Sequence, residues 1–258
     1  MGFPVTSRAW RAGIAVCGLI FFGAAELCAE PLEPIAPEAF QRSEPFRLAA
    51  SAVQYGGLRD KWIAVQHRLE DEMVQLALCD GDRDSCVSQA ALKFLDIVDV
   101  ARTRDGRARL GEINRAINLS IRATSDLAQH GRPDVWSSPL VTFERGGGDC
   151  EDYAIAKFVA LRHAGIAPDD LRIVIMHDTV RDEDHAVVAA RLDGRWLLLD
   201  NRRMAMILDN DIRNYRPTFV IGEHGVMRYA DSALLAAASE LKTLASLTES
   251  SLPTPADL

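Results

Sequence analysis

Several of the short motifs that identify enzyme classes are missing from the sequence. It has no GxGxxG or P-loop pattern, no CxxC pair, no HExxH pattern and no internal repeat. A run of basic residues is also missing, and the net charge is −8. The missing motifs leave no sign of an organic cofactor, and the charge argues against a non-specific nucleic-acid binder.

One apolar stretch near the N-terminus has the features of a targeting segment. Residues 12–25 are apolar apart from Gly and Cys, and they follow the basic residues Arg8 and Arg11. The stretch is too short to cross a bilayer comfortably, and small residues and prolines come after it. We therefore predict a signal peptide over residues 1–29 and export of the mature chain, with an uncleaved anchor as the alternative.

Cysteine is scarce, with five in 258 residues. Loss of the signal peptide leaves Cys79, Cys86 and Cys150. The first two are close in sequence across a polar turn, and exported proteins meet an oxidising compartment, so we predict a disulfide between them. Cys150 is then unpaired, and a reactive nucleophile is one of the few explanations for a free thiol in an exported protein.

The mature sequence has an ordinary globular composition, 48% apolar and 26% charged, and passes from helical to strand patterns near its middle. We predict a flexible Pro-rich lead-in over residues 30–47, one domain over 48–248 and a loose tail over 249–258. The predicted helices cover residues 57–78, 88–100, 110–127, 153–164 and 231–247, and the predicted strands cover 171–177, 185–192, 195–200, 205–208 and 218–221.

The helical and strand halves meet at the stretch GGGDCEDY, residues 146–153. Its glycines predict a conformationally free loop, and Asp149 is a good N-cap for the helix that follows. The helix dipole at this end stabilises a thiolate, which favours a nucleophilic Cys150. The acidic Asp149 and Glu151 act in the opposite direction, and a Cys that only fills buried space remains the alternative.

The pair Asp193-Gly194 between two apolar runs predicts a β-hairpin with a two-residue turn. The register set by this turn places Val187 opposite Asp200, so His185 is a diagonal neighbour of Asp200 at about 7–8 Å. A carboxylate there can orient the imidazole, as in a catalytic triad. The alternatives are a strand-end His in water and an Asp that begins a turn. The same register gives His177 no matching carboxylate.

These residues together resemble the bacterial transglutaminase-like cysteine proteinases, over roughly residues 110–221. The resemblance implies an α+β, papain-like (transglutaminase-like) fold, in which the catalytic Cys begins a central helix packed on an antiparallel sheet. The matching positions are Asp134, Trp136 and Pro139, then GDCEDYA at residues 148–154 with Lys157, then His185 and Asp200-Asn201.

The resemblance implies a cysteine endopeptidase whose triad is Cys150, His185 and Asp200. LapG-like members of this family are periplasmic proteases that cut large surface adhesins. An inner-membrane receptor that senses cyclic di-GMP holds them in check. They bind calcium through acidic residues that flank the Cys, which here are Asp149 and Glu151.

The charges around the thiol give a separate reason to expect calcium. Asp149, Glu151 and Asp152 place three negative charges beside Cys150, and these raise a thiol pKa unless a cation offsets them. A hard divalent cation bound by carboxylate and carbonyl oxygens does so, and Asp152 is a further candidate ligand. The alternative is that Asp149 only caps the helix and the other two carboxylates only favour its dipole.

Two rival classes of function remain open at this stage. A transglutaminase or amidase uses the same triad, with an amine in place of water for the transglutaminase, and a non-catalytic periplasmic binding module needs only a buried Cys. For the enzymatic readings, the backbone N–H of Cys150 and the indole N–H of Trp136 are the candidate oxyanion donors.

Overall fold

The computed structural model describes residues 44–223 and 225–230 of the chain. The predicted signal peptide over 1–29, most of the predicted lead-in, the predicted helix over 231–247 and the predicted tail over 249–258 lie outside these residues. Within the described ranges, no helix is both long and apolar enough to cross a membrane.

Six α-helices occupy most of the described chain before residue 164. The predicted third helix is too long, because the chain leaves the helix after Ser120 and becomes extended at Ile121. The second helix begins within one residue of the predicted position. Ser88 is its N-cap and accepts a hydrogen bond from the N–H of Ala91. The helices are α1 Gly57–Gly81, α2 Gln89–Arg102, α3 Gly106–Ser120, α4 Asp126–His130, α5 Pro139–Arg145 and α6 Cys150–His163.

Seven strands form one antiparallel sheet in the order β1-β9-β8-β4-β5-β6-β7, and two short strands form a separate parallel pair, β2 with β3. The sheet therefore includes β1 and β9, which the sequence patterns did not predict. The strands are β1 Ala50–Ala52, β2 Arg122–Ala123, β3 Gly147–Gly148, β4 Leu171–Asp178, β5 Glu183–Leu192, β6 Arg195–Leu199, β7 Ile207–Leu208, β8 Tyr215–Gly222 and β9 Gly225–Tyr229.

The hairpin between β5 and β6 has the predicted turn and register. Asp193 and Gly194 have φ values of 51° and 73°, the left-handed conformations that a tight hairpin turn with this twist requires. Leu192 pairs with Arg195, and the ladder continues to Val188 opposite Leu199. The next step of this ladder places Val187 opposite Asp200.

Helix α6 lies at the centre of the main core, as its apolar composition predicts. Residues 152–161 of this helix are all buried, and the helix packs against β4 and β5. A second apolar cluster, which includes Val174, Val187 and Trp196, covers the opposite face of the sheet. Because both faces are buried, β4 and β5 read as continuous apolar runs rather than alternating ones.

The end of the predicted lead-in packs on the domain. Residues Pro45–Arg47 form a single 3-10 turn, and Phe46 packs against the second apolar cluster. Glu44 is buried and accepts hydrogen bonds from Arg172 at 2.8 and 2.9 Å. A buried, bidentate ion pair of this kind ties residues 44–47 to β4.

The disulfide between Cys79 and Cys86 is present, as predicted, and Cys150 is a free thiol. The disulfide links the end of α1 to the turn before α2. It therefore leaves Cys150 as the one sulfhydryl among the described residues.

Candidate active site

The glycines before Cys150 form a defined structure rather than the predicted free loop. Helix α5 ends at Gly146, which has a left-handed φ of 67°. Gly147 and Gly148 then pair in parallel with Arg122 and Ala123. A Cβ atom at residue 148 would lie 2.7 Å from the Asp152 Cβ, so the close approach of the Asp152 side chain requires glycine there.

His185 and Asp200 meet as the hairpin register predicts. The Nε2 atom of His185 is 2.9 Å from Oδ1 of Asp200, and both side chains are buried. Burial acts to raise the pKa of Asp200, but the hydrogen bond and charge of His185 outweigh it and hold that pKa below its usual value. Nδ1 of His185 is buried and has no hydrogen-bond partner among the described residues. This nitrogen is therefore the one left to accept a proton.

Cys150 and His185 line the same cavity, which has a volume of about 340 Å³. The sulfur accepts a hydrogen bond from the N–H of Ala186, the residue after His185. Within the described part of the chain no hydrogen bond joins the thiol to the imidazole. Instead, the thiol donates to Oε2 of Glu151 at 3.0 Å.

The pKa of Cys150 shifts in the direction opposite to the one that the helix dipole alone predicts. Burial raises the pKa of the thiol well above its usual value, and the negative charge of Glu151 raises it further. The hydrogen bond from Ala186 acts to lower it but is outweighed. Burial and the charge of Glu151 therefore both favour the protonated thiol over the predicted thiolate.

Three carboxylates form an acidic cluster beside the thiol, and one of them was not predicted. One oxygen from each of Asp126, Asp149 and Glu151 lies within 4.8 Å of the others. Oxygens that contact one Ca²⁺ at about 2.3–2.6 Å lie no farther apart than roughly 5 Å, so this spacing fits a shared calcium ion. Asp126 comes from helix α4, which the parallel pairing of β2 with β3 brings beside the start of α6.

Two oxygens of the acidic cluster lack a hydrogen bond within the described part of the chain, although Nε2 of His130 lies 3.7 Å from the Asp126 oxygen. Oδ1 of Asp126 and Oδ1 of Asp149 are buried and lack a hydrogen-bond partner among the described residues. Burial and the charge of Glu151 raise the pKa of Asp149 to about 9. Asp149 occupies the N-cap position of α6, yet its side chain makes no capping hydrogen bond, so the capping alternative lacks the contact on which it depends.

Asp152 makes a structural contact through one carboxylate oxygen, while its Oδ2 atom is buried without a hydrogen-bond partner among the described residues. Its Oδ1 atom accepts a hydrogen bond from the backbone N–H of Ser137 at 2.8 Å, which ties α6 to the segment before α5. Burial raises the pKa of Asp152 to about 7. Asp152 is not part of the three-carboxylate cluster.

Trp136 lies in the wall of the cavity that holds Cys150, but its indole N–H already has a partner. It donates to Oδ1 of Asp134 at 3.2 Å. Asp134 is also ion-paired with Lys61, and Arg68 holds the carbonyl of Trp136 at 2.6 Å. The predicted oxyanion role of Trp136 therefore requires that its indole N–H release Asp134 and donate its hydrogen bond to the substrate oxygen instead.

The prediction that His177, the other histidine on a strand, has no matching carboxylate is wrong. Its ring nitrogens lie 3.3 Å from Asp184 and 3.2 Å from Asp182, so it does have carboxylate partners. Both carboxylates are exposed, at 74% and 94% of the side chain, unlike that of Asp200. The pair belongs to the end of the β4–β5 ladder, where His177 faces Asp184.

Lys157 is a buried lysine with no hydrogen-bond partner for Nζ among the described residues. It lies two helical turns after Cys150 on α6, with Nζ 5.9 Å from the centre of the Tyr153 ring. Burial lowers the pKa of Lys157 to about 7, although the charge of Asp200 acts to raise it. This desolvated cation, which interacts with Asp200, lowers the stability of the fold.

We predict that Lys157→Met raises the free energy of unfolding near neutral pH by about 1–4 kcal/mol, the range seen when buried ionic groups become apolar. The folded-state pKa lies below the unfolded one, so the unfolded chain binds more protons between about pH 7 and 10.5. The stability of the parent chain therefore rises relative to the variant across this window. Urea unfolding of both proteins over these pH values measures the difference.

The exposed Lys93→Met serves as the matched control for this prediction, because its ammonium lies at the surface. A Lys157→Met protein that is less stable than the parent, or a difference that does not change with pH, contradicts the prediction.

The comparisons with known proteins agree with this fold. No curated protein matches the chain in sequence. A structure of Legionella pneumophila LapG is 22% identical to the chain and matches it with a TM-score of 0.51. The match covers 66% of this chain and 94% of the LapG chain. An EGTA-treated form of LapG is 21% identical, covers 63% and 91%, and also has a TM-score of 0.51. At this identity the two structures support the fold alone.

A family comparison extends the agreement to the sequence. The model of the bacterial transglutaminase-like cysteine proteinases (BTLCP) matches residues 71–218, which is more than half of the chain and includes Cys150, His185 and Asp200. The chain belongs to the bacterial transglutaminase-like cysteine proteinase family and is a cysteine peptidase with a transglutaminase-like fold.

Proposed function

We propose that the chain is an exported, periplasmic endopeptidase that uses Cys150, His185 and Asp200 as a catalytic triad. The observation that carries the proposal is the 2.9 Å contact between Nε2 of His185 and Asp200, beside a cavity that Cys150 also lines. Asp200 occupies Nε2, so the imidazole keeps an unprotonated Nδ1 to act as the base. Periplasmic export rests on the signal-peptide features of residues 1–29.

The proposed reaction is acyl transfer to water. His185 takes the proton of Cys150, and the sulfur attacks the carbonyl carbon of a peptide bond. The protonated imidazole then gives its proton to the leaving amine, and a thioester remains on the sulfur. Water, deprotonated by His185, attacks the thioester and releases the acid. The backbone N–H of Cys150 and, once it leaves Asp134, the indole N–H of Trp136 stabilise the oxyanion.

Calcium is the proposed cofactor, and Asp126, Asp149 and Glu151 are its proposed ligands. Their oxygens have the spacing for one ion, and two of them are buried without a hydrogen bond. A bound cation would offset the negative charge that raises the pKa of Cys150. The LapG structures include a calcium-bound and an EGTA-treated form, but here the proposal rests on this chain's own carboxylates.

The resemblance to LapG-like proteins supports a more specific substrate. We propose that the chain cuts large surface adhesins, and that an inner-membrane receptor for cyclic di-GMP is its regulatory partner. The exported location brings the enzyme into contact with surface proteins as they cross the periplasm. A transglutaminase or amidase with the same triad is the second candidate, because the triad residues do not determine whether water or an amine accepts the acyl group.

One experiment tests the reaction class and the nucleophile together. The mature protein is incubated with a surface-protein fraction and calcium, in parallel with Cys150→Ala, and mass spectrometry identifies the products. New chain ends that appear only with the parent protein support the peptidase. Isopeptide cross-links point to a transglutaminase, deamidated side chains point to an amidase, and identical products from both proteins contradict catalysis by Cys150.

A further inference from the structure

A second, larger cleft adjoins the catalytic cavity. Its volume is about 700 Å³, and it shares Lys61, Asp134 and Trp136 with the cavity that holds Cys150. The rest of its wall comes from α1, from residues 130–137 and from the end of α5. A polypeptide that crosses Cys150 and continues past Trp136 enters this cleft.

The charge of this cleft is opposite to that of the protein. The whole chain has 37 acidic and 29 basic residues, yet four of the described residues that line the cleft are the cations Lys61, Arg68, Arg132 and Arg145. The single carboxylate on the wall, Asp134, is ion-paired with Lys61. Arg68 interacts electrostatically with Glu72, whereas Arg132 and Arg145 form no ion pair with a carboxylate among the described residues.

The three arginines differ in the hydrogen bonds that they already make. Arg68 donates to the carbonyl of Trp136 at 2.6 Å and so supports the wall of the catalytic cavity. Among the described residues, the hydrogen-bonding partners of the Arg145 guanidinium are the ring nitrogens of His130, at 3.2 and 3.3 Å. Arg132 is exposed and makes no hydrogen bond or ion pair with another described residue. Arg132 and Arg145 are therefore free to bind a ligand without loss of an ion pair.

We propose that this basic cleft is a substrate subsite that binds an acidic segment on one side of the scissile bond. Arg132 and Arg145 bind its carboxylates, because a guanidinium offers two parallel N–H donors to a carboxylate. The proposal rests on the proposed function, since it takes the occupant to be the continuation of a chain that crosses Cys150. It adds a specificity determinant that the triad does not contain.

A cleavage experiment measures this specificity. A library of peptides from a digested proteome, with calcium added, is cut by the parent protein and by the double variant Arg132→Ala/Arg145→Ala. With the parent, Asp and Glu should be enriched on one side of the cut. In the variant, the ratio of kcat/KM for acidic peptides to kcat/KM for neutral peptides should fall by about tenfold, roughly threefold for each of the two exposed contacts. Salt should weaken the parent's preference as well.

Two further variants sharpen the cleavage experiment. The charge-reversed Arg132→Glu/Arg145→Glu should prefer basic segments at the same positions. Arg195→Ala, at the far end of the β5–β6 hairpin, is the matched control and should keep the parent's preference. An equal rate for acidic and neutral peptides in the parent, or a change in the Arg195→Ala control as large as in the double variant, overturns the proposal.

A binding experiment decides the inference even where cleavage fails. The Cys150→Ala protein is titrated with labelled alanine-glycine peptides that carry either glutamates or glutamines, and fluorescence anisotropy reports binding. The glutamate peptide should bind about tenfold more tightly, and the added Arg132→Ala/Arg145→Ala changes should remove the difference. Equal binding of both peptides overturns the subsite. A parent protein that cuts nothing while the glutamate peptide still binds selectively contradicts the proposed function alone.

Discussion

Replacement of Cys150 by alanine is expected to lower kcat/KM for peptide cleavage by about 10⁴-fold or more, because the thioester intermediate needs the sulfur. His185→Ala and Asp200→Ala should each cause a large loss as well. The reason lies in the shared contact at 2.9 Å, through which Asp200 orients the imidazole of His185. Peptide cleavage followed by mass spectrometry measures the rates, and thermal unfolding checks that each variant folds.

The triad prediction also concerns how the losses combine. Groups that act as one unit give losses that do not add, so Cys150→Ala/His185→Ala should be little less active than Cys150→Ala. His177→Ala is the matched control, because His177 also lies on the sheet beside carboxylates but is not in the catalytic cavity. Losses that add in the double variant, or a comparable loss in His177→Ala, argue against the triad.

The hairpin shows what can be predicted from sequence alone. A two-residue Asp-Gly turn permits one register, and once that register is set every cross-strand neighbour follows by counting. The contact between His185 and Asp200 was therefore predictable, as was the burial of the helix after Cys150. In both cases the sequence pattern is local, and the hairpin and the helix that it predicts have regular geometry.

The third carboxylate of the acidic cluster could not be predicted in this way. The chain between Asp126 and Asp149 forms the rest of α4, an irregular segment and α5, and the two-residue pairing of β2 with β3 brings the two carboxylates together. Strands of two residues have no periodic signal. The helix predicted over residues 110–127 included Asp126, so its pattern did not separate this carboxylate from any other polar residue on a helix surface.

The direction of the Cys150 pKa shift could not be predicted from the sequence for a different reason. The sequence shows a helix N-terminus and nearby acids, which shift the pKa in opposite directions, but it does not show how deeply the thiol is buried. Burial is the largest contribution, and it favours the protonated thiol. Strands β1 and β9, which lie next to each other at one side of the sheet, were missed because Ala50–Ala52 is short and Gly225–Tyr229 follows closely on β8.

The second large effect is expected from calcium removal. EGTA should slow the alkylation of Cys150 by iodoacetamide by about tenfold or more, since each unit of thiol pKa changes the thiolate fraction about tenfold. Without a cation, Glu151 accepts the thiol's hydrogen bond and its charge raises the thiol pKa. Added calcium should restore both alkylation and peptide cleavage, and calorimetry should detect its binding.

Asp126→Asn separates calcium binding from a simple change of charge. The asparagine keeps an oxygen that can accept the N–H of Val135, as Asp126 does, but it loses a charged ligand. In calcium the variant should therefore react more slowly than the parent. In EGTA it should react no more slowly than the parent, because it carries one negative charge less near the thiol. The exposed Asp105→Asn is the control and should follow the parent in both buffers. If the parent binds no calcium and reacts equally fast in EGTA, the acidic cluster acts only through the helix dipole, and the calcium proposal is wrong.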